Sequence, residues 1–136
     1  MTHEVAGIVR ACKAVPAKKR QGYCDAGGQR FAERLEAFSR RVERGALLVR
    51  EGQPWGSPGY DAAMDLGVSM SRAVSQSNTA VTQCTGKYAG SETKREDQDA
   101  IAHSHTARAC TLILGARQMW PREFAAALIR ASSREL

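Results

Sequence analysis

Arginine is the residue whose placement could do the most chemistry in this chain. On a helical wheel of residues 29–44, Phe31, Leu35, Phe38 and Val42 form one apolar stripe, with Arg30, Arg34, Arg41 and Arg44 on one flank. Glu36 and Glu43 fall on the other flank, and Glu33 lies near the first. Charges needed only for solubility usually alternate in sign four residues apart, so segregated guanidinium groups suit the evenly spaced phosphates of a nucleic-acid backbone. Lys13, Lys18, Lys19 and Arg20 precede this flank and extend it. With few aromatic residues interleaved, the expected contact is to phosphates rather than to stacked bases.

Other constellations point away from catalysis. Cys12, Cys24, Cys84 and Cys110 contain no CxxC pair, and His103 and His105, two apart on a helix, face different ways, so no metal site is expected. Cys12, Cys84 and Cys110 fall near apolar positions and read as small buried hydrophobes carrying free thiols. His105 reads as a hydrogen-bonded boundary residue. The acidic cluster Glu92, Glu96, Asp97 and Asp99 is interrupted by Lys94 and Arg95 and is explained by the positive end of a helix dipole. There is no nucleophile with its base, no paired carboxylates and no Gly-rich phosphate loop, so neither an enzyme nor a bound cofactor is expected.

Residues 61–76, DAAMDLGVSMSRAVSQ, resemble a helix-turn-helix: Ala63 precedes Gly67 by four, and Val68 and Ser69 open the second helix. Ala permits close approach of the helices, Gly the positive φ of the turn, and Ser the cap. Ser71 and Arg72 would then reach base edges. Ala73 and Gln76 stand where that family carries apolar residues.

The elements that must position these residues are helical. Val5, Ile8, Val9, Cys12 and Val15 make one face of a helix stopped by Pro16, and a basic loop follows. Residues 29–44 form the second helix, with Gly45 as its end or weak point and ALLVRE continuing it or forming a strand. EGQPWGSPG at 51–59 is the strongest loop signal. Tyr60, Met64, Val68, Val74, Val81, Cys84 and Tyr88 predict the next apolar face, on one helix or two. The polar stretch 90–99 reads as a loop and first turn before a helix burying Ile101 or Ala102, His105, Ala109, Leu112, Ile113 and Ala116. Pro121 opens a last helix that buries Phe124, Leu128 and Ala131. The expectation is an all-α compact bundle of five helices in one domain, residues 1–136: a basic front at 1–50, a loop at 51–59 and a neutral back at 60–136.

The 136 residues are 43% hydrophobic, enough for a core, and 6% aromatic, which disfavours sandwiches and barrels. The net charge is +6, with fifteen Arg against five Lys, and residues 1–50 carry the whole excess. No apolar run suits a membrane span, and Glu4 and Arg10 interrupt the start where a signal peptide needs an apolar run, so a soluble cytoplasmic chain is expected.

In size, helical layout and Arg placement the chain resembles the small helical subunits of CRISPR effector ribonucleoproteins. That resemblance implies a non-enzymatic subunit holding RNA or single-stranded DNA through phosphate contacts, beside protein subunits that include copies of itself. Lys18 to Arg20, Arg30, Arg34, Arg41 and Arg44 would make those contacts. The other expectations are a helix-turn-helix regulator and a protein-binding adaptor or inhibitor, of the kind mobile elements encode, anchored by Trp55, Tyr60 or Trp120.

Overall fold

A computed structural model describes residues 2–15, 22–85 and 92–135. It contains five helices: α1 (Thr2–Ala14), α2 (Ala26–Glu51), α3 (Pro58–Gln83), α4 (Glu92–Met119) and α5 (Pro121–Glu135). Among the described residues there is no strand.

α2 and α3 form an antiparallel hairpin. Its register is visible at both ends, where Asn78 donates to Glu36 at 3.2 Å and the Arg50 guanidinium lies 5.8 Å from the centre of the Tyr60 ring. The connecting turn is set by local chemistry. Gly56 takes φ +77°, Ser57 caps α3 by accepting from the Tyr60 N–H at 3.2 Å, and Pro58 occupies the first turn, where a missing N–H costs nothing. α4 packs along α3. α1 lies antiparallel to α4, as the Cys12–Cys110 bond and the contact between His103 Nε2 and the Val15 carbonyl at 3.1 Å require. Trp120 alone separates α4 from α5, because Pro121 cannot donate the hydrogen bond that would continue α4.

The core is built from the inward faces of all five helices. Leu35, Phe38 and Val42 of α2 meet Leu66 and Met70 of α3, Ile113 of α4 and Phe124 of α5, all buried. Each such side chain contributes about 1.5–3 kcal/mol on leaving water. Phe38 and Phe124 pack as a tilted pair, 6.1 Å between ring centres.

α2 is longer than its periodicity predicts. It begins before Gly27 and Gly28 and runs through ALLVRE, so Gly45 is neither an end nor a weak point. Gly45 is the tightest of the described glycines: a Cβ there would land on the backbone of Ala127 in α5. α3 is a single helix, and α4 already includes the polar residues from Glu92. Ala102 faces inward on α4 and Ile101 outward. Phe124, Leu128 and Ala131 are buried as the α5 pattern predicts.

The predicted inner face of α3 holds in part: Cys84 is buried and Tyr60, Val74 and Val81 are half-buried. Met64 and Val68 are exposed, while Ala63, Leu66, Met70, Ala73, Ser77 and Ala80 are buried. Small side chains let α3 approach α2 closely, so the helix turns its slimmer apolar stripe inward. Tyr88 lies outside the described residues.

We expect Gly45→Ala to destabilise the fold by about 1–3 kcal/mol through overpacking against α5, outweighing the gain of ~1 kcal/mol in helix propensity. Denaturant unfolding measures it; a stabilised variant would show that α2 and α5 do not touch at this point.

Candidate functional site

The structure divides the predicted arginine flank. Arg30 and Arg34 are exposed on the N-terminal half of α2 and make no ion pair among the described residues; Lys13 is exposed at the end of α1. Arg41 is half-buried and donates through Nη1 to both carboxylate oxygens of Glu4, at 3.0 and 3.1 Å. Its charge is matched within the fold and ties α1 to α2. Arg44 turns toward α3, where it lines a groove with Glu43 and Arg50. Lys18, Lys19 and Arg20 lie outside the described residues. Of the four arginines of the flank, Arg30, Arg34 and Arg44 are exposed and Arg41 is engaged by Glu4.

The helix-turn-helix expectation fails outright. Residues 61–76 are uninterrupted helix, and Gly67 has no positive φ. Gly67 instead lies against α2, where a Cβ would sit 3.9 Å from that of Ala46. Ala63 is buried, Val68, Ser71 and Arg72 are exposed, and Ser69 is intermediate, all on one helix with no second helix to place in a groove.

The cysteines are not free thiols. Cys12 pairs with Cys110, and Cys24 with Cys84, with Cα separations of 5.1 and 4.9 Å. The expectation that they act as buried apolar groups holds for their environment, since all four are buried, but not for their chemistry. Among the described residues no group of His, Cys, Asp and Glu could hold a metal ion.

Cys24 belongs to a corner whose other members the sequence conceals. Asp99, nearly buried on α4, accepts from the backbone N–H of Cys24 at 2.8 Å and of Gly22 at 3.3 Å. Arg95 donates to Asp25 at 2.8 Å and lies 3.9 Å from Asp99. The Tyr23 ring stacks edge-on against His103, 4.8 Å between centres, and burial pushes the Tyr23 phenol up from its ordinary pKa. Asp99 therefore anchors a loop, rather than serving only the dipole of its own helix. Among the described residues, nothing in this corner pairs a nucleophile with a base.

A different arrangement stands open to solvent. Leu47 of α2 and Met64 and Val68 of α3 are 43%, 38% and 46% exposed and line a groove of about 460 Å³ between the two helices. Trp55, in the turn that joins those helices, is 87% exposed. Tyr60 is half-buried beneath Arg50, and Trp120 is half-buried against the core, so of the three aromatic anchors considered only Trp55 is fully presented. Periodicity puts Met64 and Val68 on the inner face of α3 and gives Leu47, in ALLVRE, no face at all; the signal for the groove is a second apolar stripe on α3 that contains Leu66 and Met70.

No family model, curated protein or solved structure matches the chain, so its function is read from its own residues.

Two outcomes test this description. Replacing both Cys24 and Cys84 by Ser removes a link between residues 60 apart and should lower stability by about 4 kcal/mol in denaturant unfolding; an unchanged midpoint would mean that the bond does not form.

His105 supplies a pH dependence. Its Nδ1 lies 2.6 Å from Gln76 Oε1, and burial, then the charge of Arg108, lowers its pKa from the ordinary 6.5. The folded chain therefore binds fewer protons than the unfolded one as pH falls through 6.5, and stability present above that value is lost until the folded ring titrates. We expect the unfolding midpoint to drop between about pH 8 and about pH 5 by less in His105→Gln than in the wild type. Equal drops would remove His105 from the account.

Proposed function

We propose that the chain is a non-enzymatic helical docking module that binds a protein partner through the groove between α2 and α3, with Trp55 as its anchor. One observation carries this reading: α3 spends one apolar stripe on the core, Leu66 and Met70 among small residues, and leaves a second, Met64 and Val68, outside beside Leu47. Exposed apolar side chains scattered singly need no explanation, but a groove of them between two helices whose connecting turn presents an exposed Trp has the composition of a binding hot spot. Arg44 and Arg50 on the rim add the residue type most enriched with Trp at such sites. No described helix is long and apolar enough to cross a membrane. The two disulfides favour an oxidising compartment over the cytoplasm.

The second reading is a nucleic-acid-backbone-binding subunit of a larger ribonucleoprotein, similar to the small CRISPR subunits. It is supported by Lys13, Arg30 and Arg34, which remain exposed. It lacks the contribution of Arg41, whose charge is engaged by Glu4.

A photo-crosslinking amino acid at Val68, in the cells that make the protein, separates the two. We expect one protein adduct, resistant to nuclease, absent when the crosslinker is moved to exposed Glu33, and lost when Trp55→Ala and Leu47→Ser are added. No protein adduct at Val68, together with nuclease-sensitive crosslinks at Glu33 and salt-sensitive RNA binding that Arg34→Ala weakens, would overturn the docking module in favour of the second reading.

A further inference from the structure

A second concavity lies where α1, the end of α4 and α5 meet, away from the groove just described. Its volume is about 680 Å³, within the range of small-molecule sites. Val5 of α1 and Phe124 and Leu128 of α5 give it an apolar lining, and Ile129 is exposed on its α5 side. Its polar side chains, Arg117 and Gln118, both come from the last turn of α4, so polarity is gathered on one wall. Arg117 is exposed and makes no ion pair among the described residues.

An apolar trough with one cation on one wall has the complement of an amphipathic anion: an apolar body for the trough and a single negative head for the guanidinium. A planar carboxylate matches the two-pronged donor geometry of Arg. A multiply charged ligand such as a nucleotide would find one cation and a mainly apolar surface. We propose that this groove binds a medium-chain aliphatic carboxylate, its chain against Val5, Phe124 and Leu128 and its head on Arg117.

The site is pre-formed. Cys12–Cys110 and the Glu4–Arg41 ion pair fix α1, and the Gly45–Ala127 contact fixes α5. Little ordering cost therefore opposes binding.

The test is methyl NMR of the intact, oxidised protein titrated with decanoate and, separately, with decanol, each below its aggregation limit. The proposal expects saturable shifts of the Val5, Leu128 and Ile129 methyls, with decanoate binding about tenfold more tightly than decanol because only the acid engages Arg117. Arg117→Leu should bring decanoate down to the level of decanol, and Ala125→Phe, at an exposed position lining the groove, should abolish the shifts without unfolding the chain. Equal binding of acid and alcohol, or shifts confined to Leu47, Met64 and Val68, would overturn it. Shifts of the groove methyls that follow protein concentration without ligand would assign the surface to a second copy of the chain and also overturn it.

Discussion

The distance at which α2 runs from its two neighbours governs the rest of this structure. At Gly45 the helix touches the backbone of Ala127 in α5, and one residue later Ala46 faces Gly67 of α3. Approach this close is open only to faces made of small residues, because interaxial distance is set by the side chains at the crossing. α3 meets the requirement with Ala63, Ala73, Ser77 and Ala80, leaving Leu66 and Met70 to fill the remaining space. The helix cannot turn Met64 and Val68 inward as well. The exposed groove thus follows from the tightness of the core.

The opposite constraint operates at the corner formed by residues 22–25. Those residues belong to no helix, so their backbone groups need partners from elsewhere. Asp99 satisfies two of the N–H groups, and Cys24–Cys84 fixes the loop to the end of α3. The loop also packs tightly on α2: a Cβ on Gly28 would lie 2.6 Å from the Gly22 carbonyl oxygen and from the Tyr23 backbone. Cys12–Cys110 does the same service for α1, whose 13 residues are few for a helix to be stable by itself. Covalent links stand where helix packing is weakest.

Helices are local, and the sequence accordingly displays all five, their order, the Pro-Gly turn and the inner face of α5. What it conceals depends on relations between helices. Gly45 looks like a helix breaker until α5 is beside it. Gly67 with Ala63 looks like a turn until Ala46 is opposite. Four cysteines with no local motif do not announce their partners, since pairing across 98 and 60 residues is fixed by the fold alone. The arginines lie on α2, and the charge of one of them is set by Glu4, 37 residues before Arg41. On α3 the rule that bulky apolar residues lie inside misled because two apolar stripes compete, and the choice between them belongs to α2.

Magnitudes decide which exposed feature has more to offer a partner. A solvent-exposed ion pair contributes about 0–1 kcal/mol, and salt screens exposed charges beyond about 8 Å under physiological conditions. Lys13, Arg30 and Arg34 together therefore provide a shallow, salt-dependent attraction. A Trp that becomes the buried centre of an interface commonly contributes about 2 kcal/mol or more, and its gain does not fade with ionic strength. Trp55 is also held ready for that role. Its turn is fixed by the positive φ of Gly56 and the Ser57 cap, and the hairpin base is held by Arg50 over Tyr60. A backbone already held in place loses less entropy on binding than a flexible one, and Leu47, Met64 and Val68 supply apolar surface on the two helices that this turn joins. The basic residues are then suited to steering an approach whose affinity comes from the apolar groove.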